Sequence, residues 1–503
     1  MVGHETAVCP STEATSRARR LRLLALALLA LSLGLAIGYC FTRAPWWDEG
    51  VFADVSINLL HRGHLGSHVL YSYGYRAWPQ ADRYTYWQFP LYLIALAGWF
   101  RLFTPTAESM RIFSVFWGCI YLFAWFLFVR KLGGSASLAW LVCTVVALDY
   151  AYLSAASDGR MDMMCAALGQ AAIAAFVALK DSSWSRAVFA AACFGAASLF
   201  CHPMGALTNA MLVSVVILNS RKYSWTGILK AAIPYLAGAA LYGIYILQAP
   251  GVYIAQMRAA TGYRVSTKLG LLRNIFTDFP SRYLAYYYAD LSGAAKLKVL
   301  ALVFALAGVL ALALTPKLRT MPLCRTLLVL ACMGYLGVAA LDNQLLPVYF
   351  IYSMPIMAAC AAVWAWYAWQ RHGWWRACAA LIIIPVLVSV CGFLYKISHN
   401  EYANIYEKAI AVIRSELPQN GIVMGGSELA FALGFDDHLI DDRYLGVTSG
   451  ITPDLYVVNP YYGSSGESWE HAQKKLRQCY HLTYVNEYYR VYARNSAPCT
   501  VPR

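Results

Sequence analysis

The chain has 503 residues, of which 60% are hydrophobic, 15% are aromatic and only 13% are charged. A soluble globular protein does not need so apolar a composition, which predicts a membrane protein. The formal net charge of +14 does not indicate a nucleic-acid partner, because Lys and Arg lie in short clusters between apolar runs, where they report orientation in a membrane.

The first apolar run covers residues 21–41 and is long enough to cross a bilayer as a helix. Arg17, Arg19 and Arg20 precede it, and no small-x-small cleavage site follows it. We therefore expect residues 1–20 to form a basic cytoplasmic N-terminus and the run to be a signal anchor.

Further apolar runs of spanning length bring the total to about 11 transmembrane helices, within a region of residues 21–396. They lie near residues 110–129, 136–156, 162–179, 187–201, 204–220, 226–247, 298–315, 324–341, 346–369 and 374–395. With the N-terminus inside, each expected cytoplasmic junction is basic, as the positive-inside rule requires. These junctions hold Arg130 and Lys131, Lys180 and Arg186, Arg221 and Lys222, Lys317, Arg319 and Arg325, and Arg371 and Arg376.

This orientation requires that residues 87–103 do not span the membrane. The segment is rich in aromatic residues and carries Arg101 near its end, so we expect a helix that lies flat in the interface. A spanning helix here would place Arg130 and Lys131 outside and would invert every later loop.

Three regions are then predicted on the extracytoplasmic side of the inner membrane: residues 42–109, 248–297 and 397–503. The last has ordinary soluble composition, with a helical pattern followed by short apolar segments, which predicts a small α/β domain. The helix is expected at 401–416 and the strands near 421–426, 455–458, 481–485 and 488–494. Most of the 14 cysteines lie in apolar runs and are expected to be buried thiols. Cys479 and Cys499 lie in this tail, where a disulfide between them is left open.

Two adjacent carboxylates, Asp48 and Glu49, follow the first helix directly in the segment WWDEGVFAD. The pattern after them is helical, so either acid lies near a helix N-terminus, where the dipole favours a negative charge. Solvated acids beside interfacial tryptophans, or ordinary helix capping, remain alternatives at this point.

A second acidic segment begins another helix on the same predicted face. It contains Asp158, Arg160 and Asp162. Asp162 lies in an otherwise apolar run, and a carboxylate inside a membrane usually has a functional partner. Arg160 is the nearest cation, and a purely structural ion pair is the alternative. His202 also lies at this face, where a lone histidine is more often a structural residue.

The loop at 248–297 combines cations with many tyrosines. Arg258, Arg264 and Arg282 are its candidate ligands for a lipid phosphate, because a guanidinium matches phosphate oxygens geometrically. Nonspecific contact with anionic lipid is the alternative.

In sequence order, these motifs resemble the GT-C superfamily of membrane glycosyltransferases, nearest to protein O-mannosyltransferases and the aminoarabinose transferases of lipid A. WWDEGVFAD resembles the start of the family's first extracytoplasmic loop, and GRMDMMCAAL resembles its second acidic motif. QFPLYLIALAGWFRLFTPTAESMRIFSVFWG resembles the interfacial helix and the Arg that opens the next span. LPVYFIYSMPIMA, which contains Tyr349, resembles a late helix near the lipid site.

The resemblance implies a sugar donor on a polyprenyl phosphate and an acceptor hydroxyl on a lipid, protein or glycan. Asp48 would be the general base of an inverting transfer, with Glu49 and Asp162 beside it as catalytic residues. Asp158, Arg160, His202, Arg258, Arg264, Arg282 and Tyr349 would bind substrate. The family's Lys-Pro-Pro is replaced by Gln88-Phe89-Pro90, so its lysine cannot be carried over.

Metal dependence stays open, because Asp48, Asp162 and His202 could hold a divalent cation but no spacing demands one. A proton-coupled transporter is the main alternative function, although the sequence lacks the internal repeats that transporters usually have. A noncatalytic envelope scaffold is the third.

Overall fold

The computed structural model describes residues 12–71, 78–220, 223–262, 268–442, 445–446, 449–459 and 467–496. Most of the chain up to residue 399 is helical. The helices of this region are α1 (Thr12–Thr42), α2 (Trp47–Arg62), α3 (Pro90–Phe100), α4 (Ala107–Lys131), α5 (Ala136–Ala147), α6 (Tyr150–Ala156), α7 (Met161–Leu179), α8 (Trp184–Cys201), α9 (Gly205–Asn219), α10 (Trp225–Ile246), α11 (Pro250–Gly262), α12 (Lys268–Asp278), α13 (Val299–Leu314), α14 (Pro316–Arg319), α15 (Pro322–Leu341), α16 (Met354–Trp369), α17 (Trp374–Ala380) and α18 (Ile383–His399). A π-helix at Phe279–Ala289 and 3₁₀ helices at Gly293–Lys298 and Pro347–Tyr352 connect them.

The predicted apolar runs all form helices, although fewer than 11 cross a membrane by length and composition. Nine helices in the described ranges are long and apolar enough, and α5 with α6 makes a tenth if the bent pair is one span. The pair bends by 69° because Asp149 begins a new helix there, with its carboxylate accepting the N–H groups of Ala151 and Tyr152 at 2.9 and 3.4 Å. The run at 204–220 forms α9, which has only 15 residues.

The segment predicted to lie in the interface forms the short helix α3. Pro90 occupies its first turn, where proline costs no hydrogen bond. Its 11 residues extend about 16 Å at 1.5 Å per residue, roughly half the hydrocarbon thickness of a bilayer. A helix of this length agrees with the prediction that residues 87–103 do not span.

The centre of the bundle is formed by α7 and α16, whose spans are the most deeply buried. Both are rich in small residues, which let neighbouring helices approach closely where no water drives their association. Gly308 of α13, for example, faces the backbone of Ala361 in α16 so closely that a β-carbon would not fit.

After residue 399 the chain forms a small α/β region, as predicted. Its helices are a π-helix at Tyr402–Tyr406, α19 (Glu407–Glu416), a 3₁₀ turn at Ser427–Leu429, α20 (Ala430–Leu433) and α21 (Glu467–Cys479). Its strands are β1 (Val423–Met424), β2 (Leu439–Ile440), β3 (Leu455–Val458), β4 (Tyr480–Val485) and β5 (Arg490–Arg494), arranged in the order β2-β1-β3-β5-β4. The β1 strand pairs in parallel with β2 and β3, whereas β5 is antiparallel to β3 and β4. Cys479 is buried, and Cys499 lies outside the described residues.

The α/β region packs against the loop that follows α1. Leu70 forms a parallel bridge with Asp441, which extends the sheet beyond β2. Gly50 of α2 faces the backbone of Ser427 so closely that any side chain at this position would collide with it. The Trp47 indole donates a hydrogen bond to the Asp441 carboxylate at 2.5 Å. The helix that carries Asp48 is therefore fixed from the sheet side as well as from the bundle.

Candidate active site

Asp48 lies in the first turn of α2 and forms an ion pair with Arg160. Its side chain is 23% exposed, so both water and a substrate group can reach it. The first turn of a helix favours a carboxylate, because the unpaired N–H groups carry partial positive charge there. The backbone thus helps to keep Asp48 in place.

Glu49, the neighbouring acid, is fully buried in a bidentate ion pair with Arg111. The two N···O distances are 2.8 and 2.6 Å, and the Gly159 N–H donates to Glu49 at 2.9 Å. Arg111 also donates to the carbonyls of Cys40, Arg43 and Ala44. Although burial raises the pKa of Glu49, Arg111 outweighs that effect and holds the pKa below its ordinary value. Glu49 therefore joins α1, α2, α4 and the 157–160 turn, and it does not face the solvent.

Arg160 connects Asp48 to Asp162 at the start of α7. The Nε of Arg160 donates to Asp162 Oδ2 at 2.8 Å, while Nη1 contacts Asp48. The other oxygen of Asp162, Oδ1, is buried and has no hydrogen-bond partner in the described structure. A buried oxygen without a hydrogen-bond partner costs free energy. A substrate hydroxyl that donates to Oδ1 would remove this cost.

Asp158 lies two residues before Arg160 in the chain and accepts a hydrogen bond from the Trp46 indole at 3.0 Å. Arg43 approaches the same carboxylate at 3.5 Å. Burial raises the pKa of Asp158, and Arg43 only partly offsets the rise. Two guanidinium groups contact the Trp46 ring, with the Arg43 and Arg160 Cζ atoms 5.5 and 5.1 Å from its centroid.

A small cavity opens beside the acids. Asp158, Arg160 and Asp162 line one wall, and Tyr286 with residues of the Pro347–Tyr352 turn lines the other. The hydroxyl of Tyr352 reaches the backbone carbonyl of Asp162 at 3.4 Å. The structure thus brings Asp158, Arg160 and Asp162 together around one space, and Asp48 is joined to them through its ion pair with Arg160.

His202 and Tyr349 are both buried, with their ring centroids 5.7 Å apart. The Nδ1 atom of His202 accepts the N–H of Met204 at 3.1 Å. No group of three or more His, Cys, Asp or Glu side chains in the described ranges is arranged to hold a metal ion. Asp48 and Asp162 are both paired with Arg160.

The arginines of the 248–297 region do not converge on the acids. Arg282 is buried between Asp278 and Asp342, at 2.9 and 2.8 Å, and also donates to the carbonyls of Asp342 and Leu346. It fixes the turn that precedes residues 347–352. Arg258 is exposed on α11, and Arg264 lies outside the described residues.

Sequence reasoning missed Arg43 and Trp46 as members of the site, and it noted Arg111 only as the Arg that opens a span. Arg43 and Trp46 flank the acidic motif directly, so proximity alone could have suggested them. Arg111 lies in an apolar run, and a buried cation in such a run needs an anionic partner. That partner, Glu49, is 62 positions away.

No family model matches the chain, and no curated protein matches it by sequence. Solved structures match it by fold. ArnT from Cupriavidus metallidurans bound to undecaprenyl phosphate aligns with a TM-score of 0.62 at 14% identity, over 97% of this chain and 100% of that one. The apo oligosaccharyltransferase of Archaeoglobus fulgidus aligns at 0.56 and 12% identity, over 94% of this chain and 74% of that one. The AglB oligosaccharyltransferase of the same organism, in complex with an inhibitory peptide and a dolichol-phosphate, gives 0.54 and 13% over the same shares.

ArnT and AglB are GT-C superfamily members. At these identities the likeness concerns the fold, which here is a polytopic helical bundle with a small C-terminal sheet. The chain therefore has the GT-C membrane fold.

Proposed function

We propose that the protein is a glycosyltransferase that moves a sugar from a polyprenyl phosphate to an acceptor hydroxyl at the extracytoplasmic membrane face. One observation carries the proposal: Arg160 holds the partly exposed Asp48 and the buried Asp162 together. The similarity in fold to ArnT bound to undecaprenyl phosphate supports the choice of donor.

In the proposed reaction, Asp48 removes the proton of the acceptor hydroxyl as its oxygen attacks the anomeric carbon. The bond from that carbon to the phosphate oxygen breaks, and the electron pair leaves with the phosphate. The leaving group departs as an ionised phosphate monoester and needs no strong general acid, whereas the hydroxyl needs a base. In-line attack inverts the configuration at the anomeric carbon.

The other residues have supporting roles in this proposal. Arg160 orients Asp48, and the free Oδ1 of Asp162 accepts a hydrogen bond from a sugar or acceptor hydroxyl. Glu49 acts as a positioning residue through Arg111, since it is enclosed. Asp158 fixes Trp46 and Arg43 at the rim.

His202, Tyr349 and Arg258 are proposed to contact the donor. Arg282 contributes indirectly, by holding the turn before residues 347–352. Arg264 remains a candidate phosphate ligand on the strength of its sequence position alone.

The direct test uses the purified protein with radiolabelled undecaprenyl phosphates that carry a hexose or a pentose. A transferase releases undecaprenyl phosphate and passes the label to an acceptor or to water. A transporter or a scaffold leaves the glycosyl phosphate bond intact. Failure to cleave any sugar of the panel, in the presence of envelope extract as the acceptor source, would contradict the proposal.

The orientation is tested by thiol labelling of Asp181→Cys and Asp290→Cys, each on a background of blocked native cysteines. Asp181 is exposed between α7 and α8, and Asp290 is exposed after the π-helix. A membrane-impermeant reagent is expected to label position 290 in intact cells and position 181 only after permeabilisation. Labelling of 181 in intact cells would reverse the proposed topology.

A further inference from the structure

A cavity of about 460 Å³ lies in the sheet region, between α21 and the face of the sheet that α21 covers. Its volume falls within the range of small-molecule sites, roughly 300–1,000 Å³. Val458 and Asn459, at the carboxyl end of β3, form part of its wall. In open α/β sheets, ligand crevices usually lie at the carboxyl ends of parallel strands. The position of the cavity is therefore one where a binding site is expected.

Hydrogen bonds of polar side chains hold the walls of this cavity in place. Asn459 is 4% exposed, and its Nδ2 donates to Oε1 of the fully buried Glu428 at 2.7 Å. Asn486 shapes the turn between β4 and β5, because its Oδ1 accepts the N–H groups of Tyr488 and Tyr489 at 2.9 and 2.6 Å. A site whose walls are already fixed loses little conformational entropy when a ligand enters.

Two arginines and a glutamine of the lining have side-chain donors that the protein does not use. Within the described part of the chain, Arg477, Arg490 and Gln473 form no side-chain hydrogen bond or ion pair. Glu487 is the one acid among the described lining residues, and its Oε1 lies 3.8 Å from Nε2 of His399. Guanidinium groups bind carboxylate and phosphate oxygens through paired donors. The lining therefore favours a ligand that carries negative charge.

Three tyrosine rings also line the cavity. Tyr480 is 4% exposed and donates its hydroxyl to the Pro453 carbonyl at 2.7 Å, whereas Tyr488 and Tyr492 are partly exposed. A tyrosine offers a broad apolar face with a polar edge. The C–H face of a pyranose packs on such a ring, while the sugar hydroxyls bond to carboxamides such as that of Gln473. A wholly apolar ligand would instead leave the polar groups of the lining without partners.

We propose that this cavity binds an acidic oligosaccharide, with Arg477 and Arg490 at its carboxylates and the tyrosine rings against its pyranose faces. The described lining residues all belong to the sheet region and none to a spanning helix, which favours a carbohydrate from the aqueous phase over a lipid headgroup. The inference goes beyond the proposed function. It involves none of the acids around Arg160, and binding here is measured without any transfer of sugar.

The experiment measures binding of fluorescently labelled trigalacturonate to the full chain in phosphatidylcholine nanodiscs. Arg477→Gln and Arg490→Gln are each expected to weaken binding about tenfold, which corresponds to about 1.4 kcal/mol. Both side chains are exposed, so neither substitution is expected to unfold the protein. Arg494→Gln is the matched control, because it removes the same charge from the same face of β5 at a position that does not line the cavity. It should bind as the wild type does.

Two competitors define the class of ligand. Maltotriose is a neutral sugar and citrate is an anion without a sugar ring, and both are expected to displace the probe far less than unlabelled trigalacturonate does. Equal displacement by maltotriose would overturn the role of the arginines, and equal displacement by citrate would overturn that of the tyrosines. Absence of binding to the wild type, or unchanged affinity in both arginine variants, would overturn the site itself. Each of these results is independent of whether the protein transfers sugar.

Discussion

Asp48→Asn is expected to lower the rate of sugar transfer by about 10²- to 10⁴-fold, the usual contribution of a positioned general base. Asparagine has nearly the same shape but cannot accept the proton of the acceptor hydroxyl. Asp48 is partly exposed in the first turn of α2. Removing its charge is therefore expected to disturb the fold little, because Arg160 keeps its ion pair with Asp162. Initial rates of undecaprenyl phosphate release, measured at saturating donor, give the effect.

Asp82→Asn is the matched control for this variant. It removes the same charge from an exposed side chain in the same 42–109 region. Because Asp82 does not pair with Arg160, this variant is expected to keep the wild-type rate. Gel filtration and thermal unfolding establish that both variants fold. Near-wild-type transfer by Asp48→Asn would rule out Asp48 as the base and would direct attention to Asp162.

Arg111→Met is expected to destabilise the protein by about 3–5 kcal/mol, because it leaves the fully buried Glu49 carboxylate without its cation. It also removes the donors to three carbonyls at the end of α1. Glu49→Gln alone leaves the guanidinium without its anion, and it should be destabilising for the same reason. Thermal unfolding of the detergent-solubilised variants measures the loss.

The double variant Glu49→Gln with Arg111→Met separates charge pairing from packing. If the buried charges are coupled, the double variant loses less stability than the sum of the two single variants. Additive losses would contradict the coupling. Arg101→Met, an exposed arginine at the end of α3, is the control and should change the free energy of unfolding by less than about 0.5 kcal/mol.

Local sequence patterns were sufficient for most of the fold. Apolar runs located helices long and apolar enough to span, and the aromatic segment around Pro90 forms a shorter helix, because length and periodicity are properties of neighbouring residues. The break at Asp149 was missed: a helix bend there depends on a side chain capping its own backbone, and hydropathy averaged over the run from 136 to 156 does not register it.

The site was predictable to the extent that its members are close in sequence. Arg160 and Asp162 are two positions apart, and their ion pair was anticipated. The partnership of Glu49 with Arg111 and the enclosure of Arg282 by Asp278 and Asp342 depend on tertiary packing. A cationic loop therefore suggested lipid phosphate at Arg282, whereas the guanidinium is already occupied by protein groups.

The close approach of Gly50 to Ser427 bears on how this protein can be divided. Helix α2 is held between the bundle, through Arg111 and Glu49, and the sheet region, through Gly50 and Trp47. The C-terminal region is consequently not a detachable module. A fragment that ends at residue 396 would retain the carboxylates of the proposed active site. It would lose one of the two surfaces that hold α2, the helix that begins with Asp48 and Glu49, in position.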